Sequence, residues 1–341
     1  MTTLVNPVIS YSEITLPLPH PKDLWFAKSA KDWKQFYLSK IATQQEKELS
    51  LRDLIRNIST LSTNQTRIDF QFSALIYLHA IWVMIWEYRQ LDTIHRSSGP
   101  NIPSPDSPYT TLESRNKELC HILRQFQQES SRWNKTSQET LVLNLLLMYL
   151  HVSLDDLQLF AGKDGEEQAR KIYPRLLDWV DTQDARQAIW YAAQVLGAAK
   201  LFPRNHLKDF YAVAVLHASL ALWTYGVVTK AKRRSRSHEI TMMDAPKETV
   251  FLDGPESLET QNFINLCKGN PTIRGPEDRS GMISATSPVD EPRACMEIAS
   301  NILRAASKVE ADEVPPIVDN MCNVIKQLGN AASYNSGDGL S

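Results

Sequence analysis

The stretch DARQAIWYAAQVLGAAKLFP, residues 184 to 203, constrains the fold most, because it predicts a helix that is apolar on most of its sides. Ile189, Ala193 and Leu196 share one stripe at helical spacing, and further alanines widen that stripe. Small side chains allow neighbouring helices to approach closely. The stretch offers no nucleophile, carboxylate pair or metal-binding pair, so we interpret it as a packing element.

The ends of this helix are predicted from its polar residues. Asp184 is the expected N-cap, Gln187 completes a capping box three residues later, and Pro203 marks the end. Arg186 and Lys200 are expected to keep the remaining face in water. Helix formation is therefore well specified by local sequence.

Helical periodicity also dominates the rest of the chain, and no convincing series of alternating strands is found. Residues 67 to 91 and 112 to 130 predict two helices, which are separated by four prolines between 97 and 108. A third apolar helix has Ser137 as its expected N-cap. The pattern predicts an all-α, multi-helix fold.

The predicted organisation has five parts. An extended N-terminal segment (1 to 19) precedes a helical domain (20 to 230). A basic run and a mostly irregular polar connection (231 to 292) lead to C-terminal helices (293 to 328) that return to the same core, and a disordered tail (329 to 341) follows. Within the connection, residues 231 to 250 are expected to be mobile, because they bury too little apolar surface to offset the ordering entropy.

Composition favours a soluble globular protein, with 43% hydrophobic residues and a net charge of -2. The four cysteines are far apart and form no CxxC pair, which indicates reduced thiols and no zinc module. The N-terminus does not have the pattern of a secretory signal. Residues 70 to 86 and 210 to 229 lack charge. Their polar residues favour interior helices, with a helical membrane protein as an alternative.

No catalytic motif is found: the sequence has no GxGxxG, GxxxxGK[ST], GxSxG or HExxH. Asp155 and Asp156 suggest magnesium-dependent prenyl transfer as an alternative function, but adjacent carboxylates on a helix diverge, so helix-start capping explains them better. His217 is expected to be a hydrogen-bonded core histidine. The same role is expected of the three other histidines considered, His79, His121 and His151. We therefore predict no enzyme, no catalytic residue, no metal ligand and no cofactor site.

One basic run stands out after the apolar stretch 210 to 229. Five basic residues occupy seven positions, namely Lys230, Lys232, Arg233, Arg234 and Arg236. Three interpretations remain open: a solvated helix end, a nuclear-import signal, and a patch that contacts nucleic acid phosphates. This run is the candidate functional site of the sequence.

Four segments, taken in order, resemble the regulatory region of fungal zinc-finger transcription factors, of the xylanolytic-activator type. They are LWFAKSAKDWKQFY (24 to 37), RQAIWYAAQVLGAAKLFP (186 to 203), LKDFYAVAVLHASLALWTYG (207 to 226) and FLDGPESLETQNFINLCKGNPTI (251 to 273). The resemblance covers roughly residues 15 to 310. Its specificity lies in the order and spacing of the four segments together.

This resemblance implies a nuclear, non-catalytic, all-α scaffold that regulates transcription by RNA polymerase II. It implies co-regulators or self-association as partners, and no membrane. DNA and zinc are implied only through a zinc finger that usually precedes the region and is missing here. We therefore expect a truncated gene model, a fragment, or a diverged protein that lost its finger.

Overall fold

The computed structural model describes residues 14 to 41, 47 to 97, 108 to 237, 248 to 277, 282 to 307 and 315 to 334. These residues are mainly helical, which confirms the all-α prediction at the level of fold class. The chain divides into two compact units, Met1–Glu139 and Thr140–Ser341.

The first unit is built from helices of very different lengths. Its helices are α1 (Lys22–Trp25), α2 (Ala30–Lys40), α3 (Leu51–Arg56), α4 (Ser59–Thr63), α5 (Phe70–Ser97) and α6 (Pro108–Glu129), followed by a 3-10 turn (Ser130–Arg132). Before α1 the described residues are non-helical, and Leu18 N–H donates to Leu49 O at 2.8 Å.

Aromatic side chains form the centre of this first unit, where α5 packs on α6. Tyr77 stacks on Phe126 with their ring centroids 5.7 Å apart. Trp133 meets the rings of Phe126 and Phe70 edge-on, at 5.9 Å and 4.7 Å. Such edge and offset contacts stabilise the unit beyond the area that they bury.

The second unit contains most of α7 (Ser137–His151) and all later elements. Its other helices are α8 (Leu154–Phe160), α9 (Glu166–Trp179), α10 (Gln183–Lys200), α11 (Phe210–Ser237), α12 (Leu258–Leu266), α13 (Pro292–Ser307) and α14 (Pro316–Tyr334). Helix α11 packs on α8, α9, α10, α13 and α14. It is therefore the central helix of this unit.

A small sheet accompanies these helices. Strand β1 (Thr249–Phe251) pairs in parallel with β2 (Asn270–Arg274), and β2 pairs antiparallel with β3 (Thr286–Pro288). Helix α12 makes the crossover between the parallel strands, as parallel pairing requires a long connection. The sheet lies within the segment predicted to be mostly irregular.

Several details of that segment and of the tail differ from the sequence prediction. Helix α11 continues to Ser237, so the start of the segment expected to be mobile is helical, and its last two residues, 249 and 250, belong to β1. Residues 238 to 247 lie outside the described residues. Strands of three to five residues are too short to show a clear alternation in sequence. Helix α14 likewise runs to Tyr334, beyond the predicted start of the tail.

Helix ends also differ from prediction by one or two residues. Thr182, and not Asp184, caps α10: its Oγ1 accepts from Ala185 N–H at 3.1 Å. Thr136, and not Ser137, caps α7, with Oγ1 accepting from Glu139 N–H at 3.1 Å. Thr, Ser and Asp are all good N-caps, so neighbouring ones compete and sequence alone does not choose between them.

The face of α10 that was predicted to lie in water is partly covered by α12 and by the residues after β1. Arg186 is buried, and its Nε donates to Ile264 O at 2.7 Å in α12. Gln194 Nε2 donates to the carbonyls of Leu252 and Gly254, each at 2.6 Å. Arg186 and Gln194 therefore satisfy backbone carbonyls of α12 and of the loop after β1.

In the part of the chain that the structure describes, two helices are long and apolar enough to cross a membrane, α5 and α11, and the bent pair α7 and α8 passes the same test together. In α11, 78% of the most apolar window is buried within the structure, compared with 44% in α5. The high value for α11 is typical of an interior helix. Helix α5 exposes Phe72, Leu91 and Ile94.

Ala193 gives a direct test of the packing of α10, because its side chain is 0% exposed. We expect Ala193→Trp to destabilise the fold by about 1 to 3 kcal/mol through overpacking. Urea unfolding followed by circular dichroism measures the change. The matched control is Ala294→Trp, at an exposed position of α13, and equal stability of the two variants would contradict the packing described here.

Candidate functional site

The predicted basic run occupies the last two turns of α11, and ion pairs hold most of its described side chains. Lys230 Nζ donates to Glu291 Oε2 at 2.8 Å. Lys232 Nζ donates to Asp181 Oδ2 at 2.5 Å, and Arg233 donates to Asp290. The run is therefore only partly solvated.

These ion pairs have a structural consequence. Lys232 also donates to the carbonyl of Leu177 at 3.1 Å, near the C-terminal end of α9, which carries the negative end of the helix dipole. Asp181 follows α9, while Asp290 and Glu291 immediately precede α13. The run thus joins the end of α11 to two other parts of the same unit. Pairs at the surface contribute only about 0 to 1 kcal/mol each.

Arg234 differs from its neighbours in the run. It is exposed, and it has no ion-pair partner among the residues that the structure describes. The side chain of Arg236 lies outside the described residues. Arg234 stands at the edge of a pocket of about 630 Å³ within the second unit, which we call the aromatic pocket.

The aromatic pocket is lined by residues from α8, α9, α11, α13 and α14 and from the connection that follows α8. They are Phe160, Ala161, Gly162, Glu166, Ala169, Arg170, Tyr173, Trp223, Val227, Lys230, Ala231, Arg234, Pro292, Leu328, Ala331 and Ala332. Its volume falls in the range of about 300 to 1,000 Å³ that is usual for small-molecule sites.

Three rings form the apolar surface of this pocket. The Phe160 ring stacks on Tyr173 at 6.1 Å and lies 5.3 Å from the ring of Trp223. Trp223 Nε1 donates to Leu328 O at 2.9 Å, so the polar atom of its indole is already satisfied. The surface that remains is suited to hydrophobic contact.

Charged groups surround the rings at the edge of the pocket. Arg170 Nη2 donates to Glu166 Oε1 at 2.6 Å, and Lys230 is paired with Glu291. Arg234 is thus the lining cation without a described acidic partner. The arrangement offers binding chemistry, combining hydrophobic contact with one cation.

A second pocket of about 570 Å³ lies beside the sheet of the same unit, next to α10 and α13. The side chain of Asp253 in this region is 0% exposed. It accepts from Lys200 Nζ at 2.5 Å and from Arg274 Nε at 3.2 Å. A carboxylate that is buried and paired with two cations holds the sheet onto α10, and its removal would leave charges uncompensated.

Asp155 and Asp156 lie in the first turn of α8, as predicted. Ser153 caps this helix by accepting from Asp156 N–H at 3.3 Å, and the Asp156 carboxylate pairs with Arg175 at 3.2 Å. In the described part of the chain, no group of three or more His, Cys, Asp or Glu side chains is placed to hold a metal ion. The geometry therefore adds nothing to the prenyl-transfer alternative.

The four histidines that were predicted to be core residues divide into two groups. His217 shares a 2.6 Å hydrogen bond between its Nδ1 and the Tyr149 hydroxyl, which confirms the prediction for this residue. His151 is buried and pairs with Asp184 at 2.8 Å. The prediction is wrong for His79 and His121, which are exposed.

The pocket residues were missed by sequence reasoning, apart from the basic residues. Phe160, Tyr173 and Trp223 come from three different helices and form no motif in sequence. A local pattern shows that a residue is aromatic and lies on a helix, but a pocket of this kind depends on tertiary packing.

The chain is similar to parts of two fungal proteins. It is 23% identical over 288 residues to Transcription factor 1 of Elsinoe fawcettii, an alignment that covers 79% of this chain and 29% of that protein. It is 25% identical over 264 residues to a transcription factor of Zymoseptoria tritici, with 68% of this chain and 26% of that protein covered. The chain thus spans less than a third of the length of these relatives. No family model and no solved structure matches it.

His217 generates a prediction about pH. Burial lowers the pKa of His217 from 6.5 to about 4, so below pH 6.5 the unfolded chain binds a proton that the folded chain excludes. Stability should therefore fall as the pH drops through this window, by on the order of 3 kcal/mol across it. Urea unfolding at neutral pH and near pH 5 measures the part of this loss that falls above pH 5, about 2 kcal/mol.

We expect the loss to be smaller in His217→Gln, which removes the ionisable ring and keeps a polar group near Tyr149. The matched control is His206→Gln at an exposed histidine, which should leave the pH dependence unchanged. If His217→Gln and the unmodified chain lose the same stability between the two pH values, His217 is not the group responsible.

Proposed function

We propose that this chain is the non-catalytic regulatory region of a fungal zinc-finger transcription factor of the xylanolytic-activator type. It acts in the nucleus on transcription by RNA polymerase II. The observation that carries the proposal is the similarity to two fungal proteins named transcription factors over 79% and 68% of this chain. The helical architecture supports it, since α10 and α11 form a packed interior.

In this proposal, DNA contact belongs to a zinc finger outside the sequence described here, and that finger holds the zinc. The chain itself contributes a scaffold without a cofactor of its own, which contacts co-regulators or a second copy. It has no membrane role, and the apolar character of α11 serves its interior position.

A reporter experiment tests the regulatory role. Residues 1 to 341 are fused to an unrelated DNA-binding domain and expressed in fungal cells with a reporter under the matching operator. We expect reporter transcription to differ several-fold from that given by the binding domain alone. A stable nuclear fusion that leaves transcription unchanged would contradict the proposal.

Two variants link this effect to the folded scaffold. Ala193→Trp should weaken the effect together with stability, because it overpacks the buried face of α10. Ala294→Trp should retain it. Equal reporter activity of the two variants, with only Ala193→Trp destabilised, would show that the scaffold is not what acts on transcription.

We propose the basic run as a nuclear-import signal. Because some of its side chains form ion pairs within the chain, the choice of residues to replace matters. Replacing Lys232 or Arg233 removes intramolecular contacts as well as charge, so these changes also alter stability. Arg234 has no described partner, which makes it the cleaner position. We therefore choose Arg234→Gln together with Arg236→Gln.

We expect this double variant to lower the nuclear fraction of a fluorescent 1 to 341 fusion, because import receptors that read basic clusters depend on charge. Replacing Arg234 should change thermal stability little, since an exposed charge contributes about 0 to 1 kcal/mol. Arg124→Gln, at an exposed arginine of α6, is the control. An unchanged nuclear signal from the folded double variant would contradict a role of Arg234 and Arg236 in import.

A further inference from the structure

We propose that the aromatic pocket binds an amphipathic organic anion, with an apolar, ring-containing body and one carboxylate-like group. The body lies against Phe160, Tyr173 and Trp223, and the anionic group is bound by Arg234. This inference is independent of the transcriptional proposal, because it follows from the pocket geometry and is tested on the purified chain.

The shape of the pocket supports a small molecule as its occupant. A volume of about 630 Å³ accommodates a compound of one or two rings with room for water. The lining comes from five helices of one unit, so a small ligand would contact several helices at once. Contact from several sides is a usual condition for measurable affinity.

The apolar surface supports a ring-containing body. The Phe160 ring lies near both Tyr173 and Trp223, and Trp223 is 6% exposed and fixed by its bond to Leu328 O. An aromatic or alicyclic group placed here gains offset or edge contacts with rings that are already ordered. Little side-chain entropy is then lost on binding.

The charges at the edge support a single negative group. Glu166 balances Arg170 through the 2.6 Å contact, and Glu291 balances Lys230 through the 2.8 Å contact. Arg234 leaves one positive charge without a described partner. A guanidinium group binds a carboxylate through two parallel hydrogen bonds, and this geometry favours a monoanion over a neutral molecule.

The test compares two probes that share a naphthalene ring, one with an anionic polar group and one with a neutral polar group. The purified chain, residues 1 to 341, is titrated with 2-naphthoate and, separately, with the neutral 2-naphthalenemethanol, and binding is measured by isothermal titration calorimetry. We expect saturable binding of naphthoate and an affinity at least about tenfold lower for the alcohol. Absence of saturable naphthoate binding, or equal affinity for both probes, overturns the proposal.

Variants place the binding in this pocket. Arg234→Gln should weaken naphthoate binding about tenfold or more and leave alcohol binding unchanged, whereas Arg234→Lys should retain part of the affinity. Ala331→Trp adds a large side chain at an exposed lining position and should weaken both probes.

Arg124→Gln, which removes an exposed arginine from the first unit, should bind naphthoate as the unmodified chain does. Thermal unfolding checks that each variant is folded. Naphthoate binding that is the same in Arg234→Gln and Ala331→Trp as in the unmodified chain would place the site elsewhere and overturn the proposal.

Discussion

Close packing between α10 and α11 is the constraint on which the second unit depends. Several alanines of the two helices are 0% exposed: Ala192, Ala193 and Ala199 of α10, and Ala214 and Ala218 of α11. Small side chains therefore occupy the buried faces of both helices. Helices with small side chains in contact approach closely and leave little room for change. The other elements of this unit are arranged around this pair.

Gly226 shows how tight the surroundings of α11 are. A Cβ atom built at this position would lie 2.2 Å from the carbonyl oxygen of Val289, which is a backbone atom and does not rotate away. Glycine lowers helix stability by about 1 kcal/mol relative to alanine, so its place in the middle of α11 is explained by this contact. The segment leading into α13 thereby lies directly against α11. Lys230 and Arg233 then bind Glu291 and Asp290 one and two turns further along the helix.

The sequence predicts the helices of this structure well, but it predicts the long-range contacts between elements poorly. The apolar stripe through Ile189, Ala193 and Leu196 identifies a buried helix, because a period of 3.6 residues is a local property. The role of Arg186 is not local: its buried guanidinium bonds to Ile264 O, 78 residues away. A long-range contact of this kind converts an apparently hydrated position into an interior one. The short strands were missed for the same reason, since their pairing, rather than their composition, defines them.

The candidate site shows the same difference between local patterns, which the sequence reveals, and long-range contacts, which it does not. A cluster of five basic residues is visible in sequence, but the acids that neutralise it are not. Asp181, Asp290 and Glu291 lie 51 to 61 positions from their partners. Only the fold shows that Arg234 differs from Lys232 and that it borders the aromatic pocket.

The position of the aromatic pocket determines what an occupant would do. Trp223 belongs to the central helix α11, donates to Leu328 of α14 and contacts Phe160 of α8. A ligand seated on these rings contacts the same helices that pack against α11. It therefore stabilises the folded unit, and increasingly so as its concentration rises above its Kd, because it binds the folded form and not the unfolded chain. Trp223 is already fixed by its hydrogen bond, so binding requires little rearrangement of the aromatic side chains that line the pocket. The main effect of a bound ligand is therefore to restrain α8, α11 and α14 relative to one another.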